Sequence, residues 1–336
     1  MSKSSRVTIH DVAREAGVSL STVSKVINNR YGVAAATSAR VQKVIAELGY
    51  EASLVAQSLR NHETKVIGIL VADLEPFSTE LLKGAAEGVR GTGYELVIYS
   101  AGGRTEARDG WERRYLSRLS GTLIDGAVLV TPTIVSAQYG APFVAVDPHT
   151  GTSEIPTVDA DNLRGAQTAV HHLIELGHRR IAMLTGRPDL MSAQLREQGF
   201  RTGMAQAGVP VDESLLLVGD YRADISAEAA KALLTMDEPP TAIFAANDIS
   251  AIATLEVAVD LGLEVPRDLS IVGFDNVPES VLCTPSLTTV EQPIREMGLR
   301  AVELLLQLLR AESIPATHLT LDTRLVVRQS TSAPRR

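Results

Sequence analysis

The sequence predicts an α/β protein, with doubly wound parallel sheets in the body of the chain and a small all-α head in front of them. Three observations predict it. Seven Val/Ile/Leu-rich runs recur between residues 65 and 275; they are nearly continuous rather than alternating, as strands buried on both faces are. Amphipathic stretches of helical length separate them, which makes the sheets parallel and helix-covered. The head differs in texture and charge: residues 1–60 hold eight Lys or Arg against four Asp or Glu, while the whole chain, with 32 bases and 40 acids, carries −8. A basic head on an acidic body reads as a polyanion binder joined to something that does not bind polyanions. With 336 residues, 45% of them hydrophobic, the chain has material for two or three domains and a sizeable core. That excludes disorder as its main state.

Taken in order, Thr8 is placed to cap a first helix, with Asp11 three residues on and Val12, Ala13 and Ala16 as its apolar stripe. Gly17 ends it, because the turn needs a residue free in φ. Ser19 caps a second helix over about 20–28. After Tyr31-Gly32, Thr37 caps a third, which carries Val41, Val44, Ile45 and Leu48 at helical spacing and stops at Gly49. Residues 51–61 are too short to make a helix stable alone in water, so they read as a linker that folds only when something holds it. The strand runs follow at 65–72, 94–100, 125–130, 141–146, 179–185, 241–246 and 269–275, with helices over 77–91, 161–176, 190–207, 224–236 and 247–261. The body is long for a single sheet, so two α/β lobes are expected.

The second helix has two faces. On a wheel of 3.6 residues per turn, Val23, Val26 and Ile27 form one apolar stripe flanked by Leu20 and Thr22, and Ser21, Lys25 and Asn28 lie opposite. One face packs on the first helix. The other offers a hydroxyl, an ammonium and an amide, the groups that meet base edges and phosphates in a major groove. The alternative is a small helical cap with a solvated polar face.

Residues 8–28 (TIHDVAREAGVSLSTVSKVIN), 37–50 (TSARVQKVIAELGY) and 55–60 (VAQSLR) resemble the DNA-binding head of the lactose-repressor (LacI/GalR-type) family of bacterial transcription factors. The similarity continues along nearly the whole chain, through Asp275-Asn276 and residues 287–292 (LTTVEQ). The resemblance implies a helix-turn-helix domain over 1–50, a hinge helix over 51–61 and a two-lobed, periplasmic-binding-protein-like core over 62–331. The N-lobe would be about 62–160 plus 293–320, the C-lobe about 161–291 plus 321–331, and 332–336 a tail. It places Leu20, Ser21 and Lys25 at base-reading positions, and Thr8, His10, Ser19, Thr22, Ser24 and Asn28 at backbone-contacting ones. Leu59 would be the wedge entering the minor groove at the operator centre, with Ala56 beside it; an apolar wedge unstacks a base step and bends the duplex. The other reading of Leu59, four residues after Val55, is packing against the core. Relatives usually carry a proline after the Gly-Tyr, where this chain has Glu51-Ala52, which bears on how readily the hinge orders.

In such a core a small molecule binds between the lobes, at the C-terminal ends of the strands. The resemblance and the strand ends together nominate Asp73, Phe77, Asp147, Ser192, Arg196, Tyr221, Asn247, Asp275 and Gln292 as effector-binding residues. Carboxylates, amides, an Arg and an aromatic face suit a sugar, although an Asp after a strand is often simply a helix N-cap. His149 reads rather as a loop histidine and Trp111 as packing between helix and sheet. His171, His172 and His178 read as helix-surface and C-cap residues, not at a metal spacing, and Cys283 as a small apolar side chain. No metal and no cofactor is expected beyond the effector.

The rival class is a cytoplasmic α/β enzyme with a basic head. A nucleotide enzyme needs a Gly-rich turn after its first strand, and here Asp73-Leu74-Glu75-Pro76 follows. There is no P-loop, no GxSxG and no HExxH in the sequence. No apolar run approaches the ~18–20 residues of a membrane span, the start lacks the apolar stretch of a signal peptide, and one cysteine allows no internal disulfide. The expectation is a cytoplasmic, homodimeric, ligand-responsive transcriptional regulator. It would be a repressor of carbohydrate-utilisation genes, released from a palindromic operator by a small sugar. A purine or nucleoside, or a phosphoprotein co-repressor, is the alternative effector.

Overall fold

The structure, a computed structural model, describes residues 7–27, 30–50, 63–102, 111–133, 141–149, 155–312 and 318–335. The chain divides into two compact units, Met1–Thr64 and Lys65–Arg336.

The first unit contains α1 (Ile9–Ala16), α2 (Leu20–Ile27) and α3 (Ala35–Leu48). At the start of α1 the Asp11 carboxylate accepts from the Thr8 hydroxyl at 2.7 Å and the Thr8 backbone N–H at 2.9 Å. These bonds hold the Asp11 carboxyl below its ordinary range. Gly17 closes α1 at φ 62 and Gly49 closes α3 at φ 60, left-handed positions that cost glycine little. Ser19 accepts the Thr22 N–H at 3.2 Å and so caps α2. Val12, Ala13, Ala16, Val23, Val26, Val41 and Val44 are the buried core. The expected cap at Thr37 is corrected. The third helix opens at Ala35 behind an extended Ala34, whose carbonyl takes the N–H groups of Thr37 and Ser38. The Ala-rich lead-in has the highest helix propensity and needs no side-chain cap to turn.

The second unit is two lobes, each a six-stranded sheet with helices. The N-lobe sheet holds β1 (Val66–Val71), β2 (Glu95–Ser100), β3 (Gly126–Val130), β4 (Phe143–Val146), β5 (Thr157–Ala160) and β11 (His318–Leu321). The C-lobe sheet holds β6 (Ile181–Thr185), β7 (Leu216–Val218), β8 (Ala242–Ala245), β9 (Ser270–Asp275), β10 (Thr288–Glu291) and β12 (Arg324–Val326). Their orders are β11-β5-β4-β3-β1-β2 and β12-β10-β9-β8-β6-β7. All pairings are parallel except β10 with β12. The chain passes between lobes three times, after β5, after β10 and between β11 and β12. The helices are α4 (Pro76–Gly88), α5 (Trp111–Leu119), α6 (Asn162–Glu175), α7 (Met191–Gln206), α8 (Ala223–Leu234), α9 (Asp248–Asp260), α10 (Glu279–Leu282) and α11 (Ile294–Leu309).

The seven runs read from sequence are β1, β2, β3, β4, β6, β8 and β9. The short strands β5, β7, β10, β11 and β12 were not anticipated. Each has three or four residues; threonine, charged residues or a histidine interrupt β5, β10, β11 and β12, whereas β7 is an apolar Leu-Leu-Val run that is simply short. Helices α5, α10 and α11 were missed too. Two glycines set the approach of α4 to α11: a Cβ at Gly84 would lie 1.8 Å from the Arg295 carbonyl oxygen, and one at Gly298 2.1 Å from that of Leu81. The Ser332 carbonyl accepts from His178 Nε2 at 2.9 Å, and Arg335 pairs with Asp268.

Candidate DNA-reading helix and effector cavity

In the head, burying Val23 and Val26 turns the opposite side of α2 to solvent. Ser21 and Lys25 are exposed there, and Leu20, at the edge of the stripe, keeps 39% of its surface exposed. Thr8, His10 and Ser19 are exposed at the starts of α1 and α2, while Thr22 and Ser24 are half-buried. Ser19, Ser21 and Thr22 form a short hydroxyl chain, with Ser19 Oγ 2.8 Å from Ser21 Oγ and 2.9 Å from Thr22 Oγ1. Asn28, Ala56 and Leu59 lie outside the described residues.

In the core, a cavity of 430 Å³ lies where the C-terminal ends of both sheets face each other, the position expected for ligands in open α/β sheets. All nine nominated residues line it. Asp73 and Asp147 follow β1 and β4, and Phe77 lies in the first turn of α4. Ser192 and Arg196 project from α7, and Tyr221 follows β7. Asn247 and Gln292 follow β8 and β10, and Asp275 ends β9. Asn247 is at once a lining residue and the cap of α9, its Oδ1 accepting the Ser250 N–H at 2.9 Å.

Arg196 organises the C-lobe wall. It is 4% exposed, donates from Nε to Asn162 Oδ1 at 2.8 Å and from Nη1 to the Ala246 carbonyl at 2.5 Å, and lies 3.4 Å from Asp275 Oδ1. Its guanidinium carbon sits 3.8 Å from the Phe274 ring centroid and 5.6 Å from that of Tyr221. Gln292 donates to Asp275 at 2.6 Å. Burial, opposed by Arg196, pushes the Asp275 carboxyl up to about 6. Arg196 and Asp275, both nominated for the effector, are paired with each other in the cavity wall.

Behind Asp275, the fully buried Asp248 anchors the loop. Its carboxylate accepts from Thr289 Oγ1 at 2.5 Å and from the Val277 N–H at 2.9 Å. A Cβ at residue 273 would lie 2.3 Å from it, which is why glycine stands there.

Polar side chains meet across the lobes at the cavity. Ser192 donates to Asp147 Oδ2 at 3.1 Å, and His149 Nδ1 lies 3.2 Å from Asp189 Oδ2. His149 therefore lines the cavity rather than a loop surface. Trp111 is edge-on to Tyr115, with centroids 5.9 Å apart, and buried in the N-lobe core as expected, yet it also borders the cavity. Tyr221 and Asp220 both hold left-handed backbone, at φ 59 and 56, a strained pair at a lining position. The Tyr221 ring presses on Gly186, where a Cβ would fall 2.2 Å from Cζ, and its hydroxyl is buried.

The sequence reading missed Glu75, Arg187, Asp220 and Arg222 as lining residues, Asn162 as the partner of Arg196 and Gly186 as the seat of Tyr221. Arg187 follows a strand that was read correctly, so the strand-end rule applied there would have found it. Asp220 and Arg222 follow β7, whose short apolar run at 215–218 was the available signal. His178 does lie in the C-terminal cap of α6, its N–H donating to the Leu173 carbonyl at 3.1 Å; its ring is buried and bonds Thr241 Oγ1 at 2.9 Å and Ser270 Oγ at 3.1 Å. Among the described residues no group of three or more His, Cys, Asp or Glu side chains could hold a metal ion, and no helix is long and apolar enough to cross a membrane.

A helix-turn-helix with an exposed polar face, carried on one chain with a two-lobed α/β body that encloses a polar cavity, defines a ligand-binding transcriptional regulator. Comparison with known proteins identifies the family. Residues 8–53 match the model of bacterial regulatory proteins of the lacI family, and 170–331 that of a periplasmic binding protein-like domain. Catabolite control protein A of Priestia megaterium is 33% identical over 97% of this chain and 99% of its own. The transcriptional repressor CytR of Escherichia coli (strain K12) is 32% identical over 97% and 96%. Among solved structures, the Lac repressor dimer bound to operator and an anti-inducer superposes with a TM-score of 0.84 at 28% identity, over 98% of this chain and all of the other. The chain belongs to the LacI family, and it is a DNA-binding transcriptional regulator, not an enzyme.

Proposed function

We propose that the protein is a dimeric repressor of carbohydrate-utilisation genes that leaves a palindromic operator when a small sugar enters the cavity. The observation that carries the reading is the convergence of nine separately nominated side chains on one cavity at the strand ends. Its volume lies in the range of small-molecule sites. In the head, Leu20, Ser21 and Lys25 read bases, and Thr8, His10, Ser19, Thr22, Ser24 and Asn28 hold the backbone. A two-fold operator requires two heads, hence at least a dimer. Residues 51–61 serve as the hinge, with Leu59 as the wedge and Ala56 beside it. The transcriptional regulator CelR, solved as a cellobiose complex, is 32% identical with a TM-score of 0.72, over 97% of this chain and all of its own, which favours a sugar.

A thermal-shift screen of the full chain against sugars and purines tests this. A ligand at ~100 times its Kd adds about 2.7 kcal/mol to folded-state stability, and the hit should weaken operator binding ~5–150-fold. A purine or nucleoside hit in place of a sugar would overturn the sugar reading. A hit that leaves operator affinity unchanged would overturn the switch.

A further inference from the structure

We propose that the cavity selects its ligand by charge: it takes an uncharged or amine-bearing polyol and rejects the phosphorylated or carboxylated form of the same skeleton. This rests on the reading of the cavity as the effector site and narrows its ligand class.

The lining supplies the first argument. Among the described residues it holds five carboxylates (Asp73, Glu75, Asp147, Asp220 and Asp275) against three guanidiniums and no lysine. The second concerns what those guanidiniums are doing. Arg187 is committed to Asp189 by two bonds, at 3.1 and 2.6 Å, and Arg222 to Asp224 by two, at 3.0 and 2.7 Å. Arg196 is held by Asn162, the Ala246 carbonyl and Asp275. Recruiting Arg196 to a phosphate would strand the buried Asp275 carboxylate; Asp189 and Asp224 are exposed, so their pairs offset the charges of Arg187 and Arg222 without locking them.

The carboxylates, by contrast, keep capacity. An ionised carboxylate offers about four lone-pair sites, of which Asp147 is seen to use one, on Ser192. A polyol brings hydroxyl donors and an amine brings ammonium donors, which suit such a wall. The Tyr221 hydroxyl, buried and close to Ser192, is a neutral group that can meet a ligand oxygen. Burial lifts the carboxyls of Asp147 and Glu75; Asp73 adds to the rise at Glu75, while Arg196 and Arg187 pull the two back. Asp159 is pushed up to about 7 by its burial and by Asp147 beside it. Groups already resisting their own negative charge oppose the entry of another. Like charges set against each other cost enough that a phosphate ester should bind roughly 100-fold or more weakly than its parent.

The full-length protein is titrated by calorimetry and thermal shift with inorganic phosphate, then with matched sets: glucose, glucosamine, glucose 6-phosphate and gluconate; ribose and ribose 5-phosphate; cellobiose. The expected result is no saturable response to phosphate at millimolar concentration, binding confined to neutral or amine-bearing members, and tighter binding of glucosamine than glucose wherever that skeleton binds. Saturable phosphate binding that Arg187→Ala removes would overturn the proposal. So would a phosphate ester or sugar acid that binds as well as its parent. Failure of the underlying reading looks different: a sugar binds, but Asp275→Asn leaves its affinity unchanged. Should no sugar bind, the phosphate titration decides the charge question alone.

Discussion

Arg196 cannot be treated as a free hand reaching for a ligand. Its guanidinium satisfies Asn162, the Ala246 carbonyl and Asp275 while stacking on Phe274. Truncation therefore leaves buried acceptors and a buried carboxylate uncompensated, and breaking such a pair costs about 3–5 kcal/mol. We expect Arg196→Ala to lower the stability of the core by that order in urea titrations, so it is a poor probe of recognition. Arg196→Lys keeps the charge but loses the fork and the stack. It should reduce effector response at least tenfold with operator affinity near wild type; an unchanged response would show that Arg196 only supports the wall. On the head, Ser21 and Lys25 are exposed, outside the buried stripe of α2. Ser21→Ala and Lys25→Ala should each weaken operator binding by about 1–3 kcal/mol and relax base preference. Binding-site selection that returns the wild-type preference from both variants would refute this face as the reader.

Between elements, backbone proximity matters as much as apolar area. Helices α4 and α11 approach so closely that Gly84 and Gly298 face each other's backbone carbonyls, and Gly199 on α7 faces the Leu163 carbonyl of α6 at 2.3 Å from a notional Cβ. Backbone at both sides cannot yield as a side-chain tip can. Gly298→Ala should therefore destabilise the N-lobe by at least about 2–3 kcal/mol, read as a drop in denaturation midpoint. Gly186 works at the cavity instead. Gly186→Ala must displace the Tyr221 ring, so it should weaken effector binding more than it lowers the midpoint; equal and small effects on both would mean that the ring has another place to go. For the proposed hinge, Leu59→Ala should cost specific operator affinity far more than affinity for random DNA. Phosphate electrostatics supply most non-specific binding, and a wedge acts only on a bent site. Salt-titrated affinities for both DNAs decide it.

At the scale of the whole molecule, the buried titratable groups make stability depend on pH in two opposing ways. Asp159 has a folded-state value of about 7 against 3.8 for the ordinary group, because it is buried beside Asp147. Between about pH 4 and 7 the folded chain holds a proton that the unfolded chain has released. This contribution is full at the acid end and lost as pH rises through 7; it amounts to at most on the order of 4 kcal/mol. Burial lowers the values of His172 and His178 below 6.5, so there the unfolded chain binds the extra proton and stability falls as pH drops below 6.5. Asp159→Asn should thus raise stability at pH 8 and steepen the loss on acidification. Urea midpoints from pH 5 to 8 read this directly, and a variant with the wild-type pH profile would show that Asp159 is ionised in the folded state.

The sequence by itself determined the elements whose signal is local. The α1 cap at Thr8, the glycine stops at residues 17 and 49, the division of charge and seven strands were legible because capping, φ freedom and apolar continuity involve residues a few positions apart. It also reached the nine cavity positions, partly through the strand-end rule and partly through the resemblance to a family. The tertiary structure alone decided the rest. Strands β5, β10, β11 and β12 exist because partners far along the chain pair with them, not because their three or four residues insist on it. Whether His149 lines a cavity or a loop depends on Asp189, 40 positions away. Arg196 and Asp275 are one buried pair, because the packing of α7 against the end of β9 brings together groups that sequence order keeps 79 residues apart.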